Sequence, residues 1–168
     1  MNQSESPISG QITEERTKPR RRRPRRRQGA SIKLYARHTK VPVERTKAEI
    51  ERTVTRYGAK EFVCGTKVGK AVVMFEGQDR RLRFDVALPT GESEKEEQAK
   101  RQKWRGLLLT IKAKLESVAS GIETFEEAFL SHIVMPDGRT VGEHAIPAIA
   151  SIYQSGQVQP LLPAPGAQ

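Results

Sequence analysis

The sequence predicts an α+β protein with a disordered, Arg-rich N-terminal arm. Its expected body is an α-β-β-β-α arrangement with an antiparallel three-stranded meander, one long helix and two short C-terminal helices. Three observations lead to this prediction: three strand-like segments are joined by short turns, one apolar stripe of helical period extends over about four turns, and the first 40 residues contain few apolar side chains.

The chain is expected to divide into a basic arm (1–40), one α+β domain (41–156) and a tail rich in Pro and Gly (157–168). Between Met1 and Tyr35 the strongly apolar residues are few and scattered: Ile8, Ile12, Ile32 and Leu34. Because so little apolar surface cannot offset the entropy lost on ordering a chain, we predict that the arm is disordered.

The first predicted helix covers about residues 44–57. Ile50, Val54 and Tyr57 follow one another at helical spacing, and Gly58 is a favourable residue after a helix end. Thr46 with Glu49 has the spacing of a capping box at the helix start.

Three strand candidates follow, "EFVCGTKV", "KAVVMFE" and "RRLRFDVALP", separated by turns at Val68-Gly69 and Gly77-Gln78-Asp79. Turns this short join antiparallel neighbours. In the third strand, side-chain alternation directs Leu82, Phe84, Val86 and Leu88 to the core and leaves Arg81, Arg83 and Asp85 on the opposite face.

The long helix is predicted at about 95–120. Its apolar side chains step by four and three residues, and Gly121 ends it; they are Trp104, Leu108, Ile111, Leu115 and Val118. Capping-box pairs at Thr124 with Glu127 and at Thr140 with Glu143 then predict two shorter helices, the second kinked or restarted by Pro147.

The charge of the chain is concentrated in the arm. Residues 1–40 hold 12 Lys and Arg against 3 Asp and Glu, whereas residues 41–168 hold 18 against 17. A cationic arm on a nearly neutral body suits a polyanion, and the excess of Arg over Lys favours nucleic acid because the guanidinium group forms forked bonds with phosphates. The candidate contacts are Arg16, Lys18, Arg20, Arg21, Arg22, Arg23, Arg25, Arg26 and Arg27. The alternatives are a solubilising tail or contact with anionic lipid.

The body offers further candidate contacts on two surfaces. Arg81 and Arg83 share the outer face of the third strand, and one flank of the long helix carries Arg101, Arg105 and Lys112. Lys103 and Lys114 lie on the other flank. The alternative interpretation is an ordinary solvated helix surface.

Aromatic side chains and the single cysteine are expected in the core. Tyr57, Phe62, Phe75, Phe84 and Trp104 are more typical of core positions than of base-stacking platforms. Cys64 lies within a strand and has no companion at metal-ligand spacing.

Catalysis is not expected, and neither a metal nor a cofactor is predicted. A small metal-dependent hydrolase is the minor alternative, because His132, Asp137, Glu143 and His144 fall within thirteen residues, but their spacing matches no catalytic motif. A single cysteine, no apolar membrane-spanning run and a polar N-terminus favour the cytoplasm, in the nucleoid or host cytosol, with no membrane partner.

The segments "RYGA", "RLRFDVALP" and "KWRGLLLTIKAKLESVASGIETFEEAFLSHIVMPDGRTVGE" resemble a group of small phage- and prophage-borne bacterial proteins over about residues 42–158. The resemblance implies a mobile-element setting and brings no site residue with it. In topology alone, the body is also similar to double-stranded-RNA-binding modules and to the core of phage single-strand annealing proteins. Nucleic-acid binding is the leading hypothesis, and an adaptor for a phage or host replication or recombination protein is the second.

Overall fold

A computed structural model describes residues 34–162 and confirms the α+β body. The strands are β1 (Phe62–Lys67), β2 (Lys70–Gly77) and β3 (Arg80–Ala87). The helices are α1 (Val43–Arg56), α2 (Glu94–Ala119), α3 (Phe125–Phe129) and α4 (Val141–Ser155), with a 3₁₀ turn at Leu130–His132. Predictions about residues 1–33 and 163–168 lie outside the described residues.

The three strands form one antiparallel sheet in the order β1-β2-β3. Phe62 pairs with Phe75, and Phe75 pairs with Leu82, so the apolar side chains of the three strands share one face. The β2–β3 turn places Gln78 and Asp79 at φ of 47° and 57°, the backbone that tight two-residue hairpins require. The predicted meander is therefore confirmed.

Helices α1 and α2 cover the apolar face of the sheet. Glu49 contacts Arg105, and eight residues later Tyr57 contacts Glu116, so the contacts advance together and the two helices run parallel. Beneath them the core contains side chains from both helices and from all three inner strand faces, including Ile50, Val73 and Ile111. The buried apolar side chains of α2, from Trp104 to Leu115, stabilise this helix of 26 residues.

The segment after the 3₁₀ turn protects the outer edge of β3. The backbone N–H of Val134 donates to the carbonyl of Arg81 at 2.8 Å, and Leu82 bridges to Ile133. Covering an edge in this way leaves fewer unpaired backbone groups for association with another strand. The same segment leads into α4.

Helix α4 is only lightly packed. Among its residues only Gly142 is buried, whereas Ile146 and Tyr153 are 66% and 87% exposed. Both ends of the helix are nevertheless capped, by Thr140 with Glu143 and by Gly156 in the left-handed conformation. The helix is therefore defined mainly by local signals and by polar contacts near its first turn.

Two local predictions were wrong. Thr46 does not cap α1, because the helix begins three residues earlier after Pro42, and Thr46 is buried with its hydroxyl donating to the carbonyl of Pro42 at 3.3 Å. Pro147 does not restart α4, which continues through it to Ser155. A capping box at Ser93 with Glu96, which the sequence reading missed, opens α2.

The described residues contain no helix that is both long and apolar enough to span a membrane. Residues 34–40, assigned to the arm from the sequence, contact α2: the side chains of Gln98 and Gln102 donate to the carbonyls of Arg37 and Tyr35 at 2.9 and 3.2 Å. The described chain thus begins on the surface of the long helix.

Candidate nucleic-acid interface

A shallow groove runs between the parallel helices α1 and α2. We call it the helix groove and define it by five lining residues: Glu49, Arg52, Thr53, Arg56 and Lys112. Its volume is about 280 Å³. Three of the five side chains are basic, and the groove lies on the solvent side of the helix pair, so it presents positive charge to an approaching ligand.

The three basic side chains of the helix groove have no carboxylate partner among the described residues. Among residues 34–162, ion pairs within 4.0 Å involve neither Arg52, Arg56 nor Lys112. The guanidinium of Arg56 instead lies 5.3 Å from the ring centroid of Tyr57. Their charges therefore remain available to an external anion.

The acidic side chain of the groove is already neutralised. Nη1 of Arg105 lies 2.5 Å from Oε2 of Glu49, joining α2 to α1. Partial burial opposes the charge of Arg105, but hydrogen bonds with Glu49 and Tyr35 outweigh this effect and raise the pKa of Arg105. The net charge of the groove is consequently positive.

A second basic hollow lies near the start of α2. Four of its six lining residues carry basic side chains: His38, Lys40, Lys95 and Arg101, together with Glu94 and Gln98. Arg101 donates to Oε1 of Gln98 through both Nε and Nη2, at 3.3 and 3.0 Å. Two of the predicted helix-flank residues, Arg101 and Lys112, therefore line two different basic hollows along α2.

The remaining two predicted helix cations differ in their availability, since Lys103 is exposed and Lys114 is engaged with the protein. Lys103 is exposed and lines a groove with Leu34 and Tyr35. Lys114 donates to the carbonyl of Ala128, and its ammonium lies 5.7 Å from the ring centroid of Phe129. Lys114 thus joins α2 to α3.

The two arginines of the sheet face differ in their surroundings. Arg81 is exposed, as predicted. Arg83 contacts Asp85 at 3.1 Å and Glu143 at 2.5 Å, and it also donates to the carbonyl of Gly138 at 2.7 Å. Because two carboxylates surround its guanidinium, Arg83 connects β3 to the start of α4.

The four residues of the hydrolase alternative have structural contacts. Nε2 of His144 lies 2.7 Å from Asp137, Glu143 contacts Arg83 and caps α4, and the ring of His132 stacks on Phe84 with centroids 3.9 Å apart. Burial, with a smaller contribution from nearby Lys114, lowers the pKa of His132. Within residues 34–162, no three His, Cys, Asp or Glu side chains form a group suited to a metal ion.

The five aromatic residues predicted for the core lie in it or at its margin. Trp104, Phe75 and Phe84 are buried, whereas Tyr57 and Phe62 are partly buried at its margin. The hydroxyl of Tyr57 donates to Glu116 at 2.7 Å, and this bond is the main cause of its raised pKa. Cys64 packs against the core as predicted, and burial raises the pKa of its thiol, which disfavours the reactive thiolate.

Sequence reasoning missed three basic residues of α1. Arg45, Arg52 and Arg56 are exposed, and spacings of seven and four residues place them along one stripe of the helix. The signal was present, since these positions lie opposite the apolar stripe, but only the parallel packing of α1 and α2 brings Arg52 and Arg56 beside Lys112.

The fold and this surface define a small α+β protein with a cationic groove between two parallel helices. Comparisons with protein-family models, with curated proteins and with solved structures found no match for this chain. The similarity to phage- and prophage-borne proteins therefore stays a prediction from the sequence.

Proposed function

We propose that this chain is a non-enzymatic nucleic-acid-binding protein, of the phage or prophage setting that its resemblance implies. In this proposal the arm supplies phosphate contacts and the helix groove orients the body on the same polymer. The observation that carries the proposal is the groove itself, in which Arg52, Arg56 and Lys112 face solvent and have no carboxylate partner within residues 34–162.

The arm supports the same function through its charge. Nine of its twelve residues from Arg16 to Arg27 are basic. Full engagement with a DNA duplex would give a slope of log affinity against log salt near −8, because each neutralised phosphate releases condensed counterions. Leu34, the first described residue, lies against α2, and the same helix contributes Lys112 to the groove.

The test uses full-length protein and two matched double variants. Arg52→Gln with Arg56→Gln removes two charges from the groove, whereas the sheet variant, Lys60→Gln with Lys67→Gln, removes two from exposed positions at the two ends of β1. A third variant changes Arg20, Arg21, Arg22 and Arg23 to Gln. Binding to labelled nucleic acid is measured by fluorescence anisotropy across a salt series.

We expect the groove variant to bind more weakly and to reduce the magnitude of the salt slope by about 1 to 2, since each lost phosphate contact removes about 0.9. The arm variant should reduce it further, and the sheet variant should behave as wild type. Failure of the wild-type chain to bind any polynucleotide at low salt would refute the proposal.

The exposed face of α4 favours the adaptor role as a second candidate. Ile146, Ile149 and Tyr153 lie along one stripe at spacings of three and four residues, and all three are exposed. An apolar stripe of this kind suits a groove on another protein, in this case a replication or recombination protein. The matched variants are Ile146→Glu with Tyr153→Glu and, as a control on exposed apolar positions elsewhere, Val68→Glu with Val158→Glu.

A purified replication or recombination protein of the host should bind the wild type and the control in a pull-down, but not the α4 variant. Equal retention by all three proteins would count against this role of α4. Nucleic-acid binding by the α4 variant should be unchanged, which separates the two candidate functions.

A further inference from the structure

Most aromatic rings of the described residues lie in the core, and the two exposed ones, Tyr35 and Tyr153, do not line the helix groove. Proteins that hold single strands without sequence preference stack the bases on exposed aromatic side chains. Here Trp104 is 1% exposed, and four phenylalanines are buried in the same core: Phe75, Phe84, Phe125 and Phe129. Tyr57, beside the helix groove, is held by Glu116 and covered by Arg56.

The amide side chains of α2 are engaged with the protein backbone. Asn and Gln read base edges by pairing with adenine. Gln98 and Gln102 instead donate to the carbonyls of Arg37 and Tyr35, and the hydroxyl of Thr53 donates to the carbonyl of Glu49 at 2.7 Å. The groups that the helix groove presents for binding are therefore guanidinium and ammonium groups, which donate to phosphates without reading the sequence and which can also pair with guanine in a major groove.

The cations of α1 form a fixed row. Arg45 and Arg56 are eleven residues apart, which is about 16 Å along a helix. The helix that carries them is fixed by the buried side chains of Ile50 and Val54. In a duplex, each strand advances 3.4 Å per phosphate along the axis, so the row is about as long as five phosphate steps.

We propose that the helix groove binds double-stranded nucleic acid along its phosphate backbone and without sequence preference. This inference rests on the proposed function and names its substrate class. A row of cations on a well-packed helix gains most from a polymer whose phosphates are themselves held at regular positions, because the backbone of such a polymer loses little conformational entropy on docking. A flexible single strand must lose such entropy, and the groove offers no exposed ring among the described residues to compensate.

The experiment compares full-length wild type with Arg52→Gln/Arg56→Gln on four probes of equal length at one salt concentration. The probes are two DNA duplexes of unrelated sequence, one RNA duplex and an oligo-dT single strand. We expect the variant to lose about tenfold in affinity for a duplex and less than about threefold for the single strand. The thermal midpoint of the variant, followed by circular dichroism, checks that it remains folded.

Each outcome bears on the proposal. A loss that affects the single strand as strongly as the duplexes overturns it, while the proposed function survives. Losses that differ more than tenfold between the two DNA sequences overturn the absence of sequence preference. A loss on duplex DNA, duplex RNA or both supports the proposal and identifies the source of the phosphates. If the wild type binds no probe, the proposed function itself fails.

Discussion

Glu49 and Arg105 form the ion pair that joins the two parallel helices, at 2.5 Å across the helix groove. The pair neutralises the carboxylate that would otherwise repel a phosphate from Arg52, and it also occupies a cation that would otherwise attract one. Replacing Glu49 alone should therefore change the positive charge that the groove offers to a phosphate.

We expect Glu49→Gln to strengthen nucleic-acid binding at low salt and to make the salt slope more negative by about 1, because Arg105 becomes available to a phosphate. The free energy of unfolding should fall by about 0.5 to 1 kcal/mol, as expected for a partly buried ion pair that remains in contact with solvent. Glu51→Gln is the matched control, since Glu51 is exposed on the same helix outside the groove. Equal effects of the two substitutions would contradict a local role of Glu49.

Arg83→Gln should destabilise the fold without changing nucleic-acid binding. Its guanidinium contacts Asp85 on the same strand, and it joins β3 to the start of α4 through Glu143 and the carbonyl of Gly138, so the substitution removes one contact within β3 and two between these elements. We expect the free energy of unfolding, measured with urea, to fall by about 1 to 3 kcal/mol. Arg81→Gln, at an exposed position, should change it by less than about 0.5 kcal/mol. A large effect of Arg83→Gln on the salt slope would instead support its predicted contact with nucleic acid.

The fold was predictable from the sequence because its elements are specified locally. Alternation along β3, the helical spacing from Trp104 to Val118, and the capping pairs at Thr124 and Thr140 each act within a few residues. The bounds of α1 were predicted to within one residue, but its cap was misassigned, because Thr46 has the sequence of a capping residue yet lies buried inside the helix.

The candidate site was only partly predictable because it depends on contacts between distant residues. Sequence spacing placed Arg105 and Lys112 on one flank of α2, but could not show that Glu49, 56 residues earlier in the chain, neutralises Arg105. The availability of Arg52 and Arg56 likewise depends on the parallel arrangement of the helices. Arg81 and Arg83 share a strand face, yet only the placement of α4 distinguishes them.

Arg139 compensates for the proline within α4. Pro147 has no N–H to donate to the carbonyl of Glu143 four residues earlier, and Nη2 of Arg139 donates to that carbonyl instead, at 2.9 Å. We expect Arg139→Gln to lower the free energy of unfolding by about 1 kcal/mol in the wild type and by less in a Pro147→Ala background, where an N–H can donate to Glu143. A double-mutant cycle by urea unfolding measures this coupling, and strictly additive effects would show that the two residues act independently.

His132 should make the stability of the protein depend on pH below about 6.5. Burial and, to a smaller extent, Lys114 lower its pKa in the folded protein, while a backbone contact with Arg83 and the charge of Asp85 partly oppose this effect. As pH falls below 6.5, the usual pKa of histidine, the unfolded chain takes up this proton first, and the free energy of unfolding decreases. The decrease ends once pH is below the lowered pKa of the folded state, and above 6.5 the full contribution is present.

Two variants test this dependence, because both lack the titrating ring but differ in packing. His132→Phe retains an aromatic ring against Phe84, whereas His132→Gln does not, so the two should differ in absolute stability. Both should nevertheless lose the same part of the pH dependence below 6.5, measured as urea unfolding free energies at closely spaced pH values. If the wild type and both variants show the same slope there, His132 does not contribute to it, and the exposed carboxylates must then account for the whole loss of stability in acid.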